Sequence, residues 1–188
     1  FDVDYVCHEM GHQFNADHTY NGRGGNCSAD QYALHAAYEP GSGTTIMAYA
    51  GQCAEDNTQS YGDNIFHSVN FDQIQAYVSQ KGTCHTLEGS NTIPTVQVPA
   101  AYTIPRGTPF MLTGSGADPG GNVLTYLWEE HSRSGRQAAL NAHDDGESPL
   151  FRTYRPTLTG TRIFPRLETI LAGISDPGER LPQIGRTM

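Results

Sequence analysis

Apolar residues recur at helical spacing in two stretches of this chain. Val3, Val6 and Met10 are three and four positions apart, so one helix face near the start is apolar. Asp2 and Asp4 fall in its first turn, where carboxylates suit the positive end of the helix dipole. The second stretch runs from Asn70 to Gly82. Phe71, Ile74 and Val78 share a face, Asn70 and Gln73 spell a capping box, and Gly82 suits the stop. After residue 95 the pattern shortens to alternating runs at Thr95–Val98, Pro109–Thr113 and Asn122–Glu129, bounded by turn formers, which predict strands. Leu150–Tyr154 and Thr161–Phe164 are further strand candidates, and Leu167–Ala172 a short helix ending at Gly173. Between the two textures, residues 87–95 are small, polar and proline-containing, as a linker is.

Composition narrows the class. The chain has 188 residues, room for one large or two small domains, and 21 glycines with 11 prolines predict much loop. A formal charge of −9 argues against nucleic acid or an anionic membrane as partner. No run approaches the roughly 20 apolar residues that cross a bilayer. Scarce lysine and plentiful Gly, Ser, Thr and Asn fit an exported protein. The cysteines are Cys7, Cys27, Cys53 and Cys84, without paired C-x-x-C spacing, so they read as disulfide staples of an oxidising compartment. Three pairings are open. Cys7 adjoins His8 and can stay free, one of the other three then reaching a cysteine outside this sequence. Cys27 with Cys53 is preferred, as it would hold the loop around Met47.

The chemistry is concentrated in residues 8–18, His8-Glu9-Met10-Gly11-His12-Gln13-Phe14-Asn15-Ala16-Asp17-His18. Four residues of helix turn through about 400°, so His8 and His12 project from one face, with Glu9 beside it. His18 reaches the same point only if the helix stops soon after His12 and the chain doubles back. Asn15 sits where that bend must occur, and asparagine is second only to glycine in tolerating a left-handed backbone. Three protein ligands leave a fourth position for water, the mark of a catalytic zinc.

The stretch resembles the metzincin metallopeptidases, whose pattern is H-E-x-x-H-x-x-G-x-x-H followed by a methionine turn; Asn15 stands where the glycine is usual. Thr45-Ile46-Met47-Ala48-Tyr49 is similar to that turn, with Met47 implied as the floor beneath the metal, 29 residues after His18. Tyr49 resembles the tyrosine of the astacin and serralysin branches, which implies an oxyanion donor. The resemblance spans residues 1–86. It implies Zn2+ on His8, His12 and His18, with Glu9 as the base toward a zinc-bound water, and hydrolysis of peptide bonds in extracellular proteins. Bacterial reprolysin-like enzymes are the nearest branch, although Thr19 follows the third histidine where adamalysins have aspartate.

The implied fold is α+β: the C-terminal subdomain of a metzincin catalytic domain (zinc helix, methionine turn, closing helix) followed by an all-β sandwich over residues 96–188. Gly116–Trp128 resembles polycystic-kidney-disease-like and fibronectin-III-like modules, with Trp128 as the core tryptophan. Gly120 and Asn122 replace two acids of that pattern, which argues against calcium there. Phe1 lies seven positions before the first ligand, so the chain reads as a piece of a longer protein, its sandwich unfinished. Such a piece could bind metal yet cleave poorly. Two rivals are an adhesion protein with a vestigial metal half, and a zinc-dependent structural module. Glu9 argues against both, since neither needs a base. His35, His67, His85, His131 and His143 read as solvated or structural.

Overall fold

The computed structural model describes residues 3–83, 86, 89 and 91–188. Asp2, Cys84, His85 and part of the 87–95 segment lie outside the described residues. Helix α1 is Val3–Gln13, α2 is Ser68–Lys81 and α3 is Leu167–Ala172. Among the described residues, four short strands follow α2 in the sequence: β1 Thr95–Gln97, β2 Phe110–Thr113, β3 Ser115–Ala117 and β4 Thr161–Phe164. Helices with small antiparallel sheets make this an α+β architecture.

α1 ends as the bend between His12 and His18 requires. Asn15 has φ 65°, and the Ala16 and Asn15 N–H groups donate to the Gly11 and His12 carbonyls at 2.9 and 3.0 Å. This is the paired stop in which a left-handed residue turns the chain back over the last helical turn. α2 begins two residues before the expected Asn70. His67 is its cap, its Nδ1 accepting the Val69 N–H at 3.2 Å. Asn70 is instead buried, donating to the Asp17 carbonyl at 2.9 Å and to Gln73 at 3.1 Å. Its side chain ties α2 to the loop carrying His18, a tertiary demand that a local capping pattern does not contain. Of the expected apolar faces, Ile74 packs inward, whereas Val6, Met10 and Phe71 are exposed.

The methionine segment is held by a buried carboxylate. Glu39, 1% exposed, accepts Thr19 Oγ1 at 2.6 Å, Thr45 Oγ1 at 2.5 Å, and both the backbone N–H and the hydroxyl of Thr44. Burying a carboxylate is costly unless its oxygens are saturated with donors, and here they are. The network joins the segment leaving His18 to the loop entering Met47. Cys27 and Cys53 form a disulfide, and among the described residues Cys7 has no disulfide partner.

The second half departs from the sandwich expected of it. Among the described residues, β1 pairs with β3 and β2 with β4, giving two two-stranded antiparallel sheets. Residues 122–129 and 150–154 are not strands; they contribute single bridges, Tyr126 to Thr157 and Phe151 to Glu179. Their backbone groups are engaged elsewhere: the Leu150 and Phe151 N–H groups both donate to Glu130 Oε2 at 2.7 Å. A side chain has taken the place of a neighbouring strand. Trp128 packs on the Leu150, Phe151 and Phe164 cluster and donates from Nε1 to the Gly160 carbonyl at 2.9 Å.

This half also lies against the first. The Ala138 N–H donates to the Asn21 carbonyl, Gln137 to the Gly22 and Cys27 carbonyls, and the Thr44 hydroxyl shares its one proton between Glu39 and the Thr153 carbonyl. Asp56, 1% exposed, receives the Arg23 and Gly24 N–H groups on one oxygen and the Leu140 N–H on the other.

Candidate metal centre

His8, His12 and His18 converge. Their Nε2 atoms stand 3.2 Å apart for His8–His18, 3.2 Å for His8–His12 and 3.0 Å for His12–His18. Each ring turns its other nitrogen to a backbone carbonyl: His8 Nδ1 to Ile46 at 2.7 Å, His12 Nδ1 to Ala16 at 2.9 Å, His18 Nδ1 to Gln31 at 2.6 Å. A carbonyl only accepts, so each Nδ1 carries the proton and each neutral ring presents a bare Nε2 lone pair. Three lone pairs facing one another cannot hydrogen-bond; they repel. A tetrahedral cation with ligands at about 2.0–2.1 Å asks for nitrogens about 3.3 Å apart, so these residues fit Zn2+ closely.

Local structure makes this possible. The stop at Asn15 places the Ala16 carbonyl where His12 can use it, so the turn that brings His18 back also orients the His12 ring. Ile46, which holds His8, is the residue before Met47. Met47 is fully buried with Ala16 and Ile46, and Cys7, Phe66 and Ile74 pack around them. A Cβ at Gly11 would collide with the Met47 sulfur, so the helix can approach the methionine this closely only with glycine there.

Electrostatics match the geometry. Burial lowers the pKa of His8, and lowers that of His18 to about 4, the neighbouring histidines adding to the effect. Both are therefore neutral at pH 7, as metal ligands must be. Tyr49 lies beside the cluster, its ring 4.5 Å from that of His18 and 5.8 Å from that of His8, and its hydroxyl donates to Gln31 at 3.3 Å. Burial, with the charge of Glu9 behind it, pushes the phenol above its usual range. Glu9 is exposed and helps to line a cavity of about 800 Å³ together with Tyr5, His8, Gln31, Tyr49 and Tyr61.

Residues 1–77 match the model of the reprolysin-like metallo-peptidase family M12B. All three histidines, Glu9, Met47 and Tyr49 fall inside that span. The match supports a metallopeptidase, and peptidases of this family depend on zinc in general. It covers the first part of the chain only, ending within α2. No curated protein and no solved structure matches the chain.

The sequence reading missed two residues that shape the centre. Glu39 read as a neighbour of turn formers, and its only signal was the set of threonines at 19, 44 and 45 that it collects from both sides. Gln31 read as nothing at all, because its carbonyl does the orienting and a carbonyl leaves no trace in side-chain identity. Two of the histidines set aside as solvated or structural also come together, His67 and His131 with Glu129.

Proposed function

We propose that this chain carries the centre of a zinc-dependent endopeptidase acting on extracellular proteins. The observation that carries the reading is the trio of Nε2 lone pairs, each fixed by a carbonyl behind it and facing the other two. His8, His12 and His18 would hold Zn2+ through those atoms. When bound, the ion supplies a Lewis acid that polarises a peptide carbonyl and acidifies water. Glu9 takes the proton from the attacking water on its carboxylate and passes it to the departing amine. Tyr49 keeps its proton at neutral pH, because burial and Glu9 oppose its ionisation, and so can donate to the oxyanion. Met47 gives the cluster a dry apolar floor, and the stop at Asn15 holds the third ligand in place. Division into a peptidase part over 1–86 and an accessory part over 96–188, and export from the cell, belong to the same proposal.

Glu9→Gln tests the base. Zinc content should stay at the parent value while casein hydrolysis falls by about 10²–10⁴-fold, the range for a lost general base. A Glu9→Gln protein that cleaves like its parent sinks the assignment. His12→Ala should lose both zinc and hydrolysis, and undiminished hydrolysis there would end the metallopeptidase reading.

A further inference from the structure

A second set of metal-ligating side chains meets where the two halves of the chain touch. His67 caps the start of α2, and Glu129 and His131 come from the segment that crosses it. One ligand atom from each lies within 4.8 Å of the other two. The His67 side chain is 1% exposed and the Glu129 side chain 7%. Both hold a buried polar atom without a hydrogen-bond partner, Nε2 of His67 and Oε1 of Glu129. The imidazole stands 3.7 Å from Glu129 Oε2, beyond hydrogen-bonding range, so neither group satisfies the other. Buried, unpaired donors and carboxylate oxygens are costly, and two of them side by side call for something to be placed between them.

The surroundings resemble the supporting shell of a metal site. The Ser68 N–H donates to Glu129 Oε2 at 2.8 Å, and the Ser68 hydroxyl meets His131 Nε2 at 2.8 Å. The Tyr38 ring stacks on His67, centroids 5.7 Å apart and planes 8° from parallel, and lies 5.0 Å from His131. These contacts orient the rings and the carboxylate, as outer partners do around metals. His131 is exposed, which gives an ion a way in.

We propose that His67, Glu129 and His131 form a second site for a divalent transition cation, one that clamps the start of α2 to the C-terminal half. Two imidazoles and one carboxylate suit Zn2+ and its neighbours rather than calcium or magnesium, which prefer all-oxygen shells. The Val69 N–H donates to His67 Nδ1, so the proton of the neutral ring resides on Nε2 in the ion-free state. Binding exchanges it for the cation: the ring takes its proton on Nδ1 instead, gives up the Val69 cap and presents a bare Nε2. An imidazolium has no free lone pair, so uptake weakens at low pH, where ligand histidines are protonated. This site shares no ligand with the His8, His12 and His18 cluster, so it stands whether or not that cluster is catalytic.

The test counts zinc retained after chelator stripping, reloading at pH 7.5 and desalting. The parent chain should keep two equivalents, His131→Ala and Glu129→Gln one each, His12→Ala one, and His12→Ala with His131→Ala none. His131 is exposed and Glu129→Gln is nearly isosteric, so at least one of the two variants remains folded, as circular dichroism will show. A second readout is thermal: Zn2+ should raise the melting temperature of His12→Ala and leave that of the double variant unmoved. A stoichiometry that neither His131→Ala nor Glu129→Gln lowers overturns the proposal, and means that the His67–Glu129 gap closes by a hydrogen bond instead. Loss of zinc in His12→Ala reports separately on the first cluster.

Discussion

His8, His12 and His18 each carry two separate instructions, one per nitrogen. Nε2 faces the cluster and Nδ1 faces a carbonyl, and the second sets the chemistry of the first. Protonation reverses this arrangement. The folded pKa of His18, about 4, and that of His8 lie below the unfolded value of about 6.5. Between those limits the unfolded chain binds more protons, so the metal-free fold is most stable above pH 6.5 and loses stability as pH falls toward 4. For the chelated protein, the urea midpoint should drop from pH 7.5 to 4.5, and His18→Phe should flatten that drop. Equal slopes in parent and variant would show that the buried rings do not govern the acid limb.

At the scale of elements, the loop between His18 and Met47 matters as much as either helix. It holds no regular secondary structure beyond a 3₁₀ turn at Ala29–Gln31, and it is fastened by Glu39 from inside and by the Cys27–Cys53 disulfide, 26 residues apart in sequence. Closing a loop of that length in the unfolded chain is worth about 3–4 kcal/mol in the chain-entropy account. Replacing both cysteines by serine should lower stability by about that amount, read as a shift in the urea midpoint. An unchanged midpoint would mean that the Glu39 network alone determines the loop. The helices were legible in part. α1 and its stop followed from residue spacing and from Asn15. The first residues of α2 did not, because His67 is an unusual cap and Asn70, the residue that spells one, is spent on Asp17.

For the molecule as a whole, the notable feature is how closely residues 126–155 lie on the first half. Asp56 is the centre of that seam, taking the Arg23, Gly24 and Leu140 N–H groups at 2.9, 3.0 and 2.8 Å. Removing its carboxylate leaves three backbone donors unpaired in a buried place. Asp56→Ala should therefore cost about 3 kcal/mol or more, and Asp56→Asn less, since one oxygen still accepts. Urea unfolding would measure both, and an Asp56→Ala variant as stable as Asp56→Asn would show that water replaces the carboxylate. Among the described residues no helix is long and apolar enough to cross a membrane.

The sequence by itself determined the parts of the centre. Histidines at 8, 12 and 18, a carboxylate at 9, a residue at 15 that accepts a left-handed turn and a methionine at 47 are identities, and periodicity places His8 and His12 on one face. Only the tertiary structure decided how those parts are held. The carbonyls of Ile46, Ala16 and Gln31 fix three tautomers, Glu39 gathers donors from Thr19 and from Thr45, 26 residues further on, and His67 meets Glu129 and His131 from the other half of the chain. The physical reason is the same in each case. A ligand set can be spelled in side chains, but backbone carbonyls and long-range hydrogen bonds exist only once the chain has closed on itself.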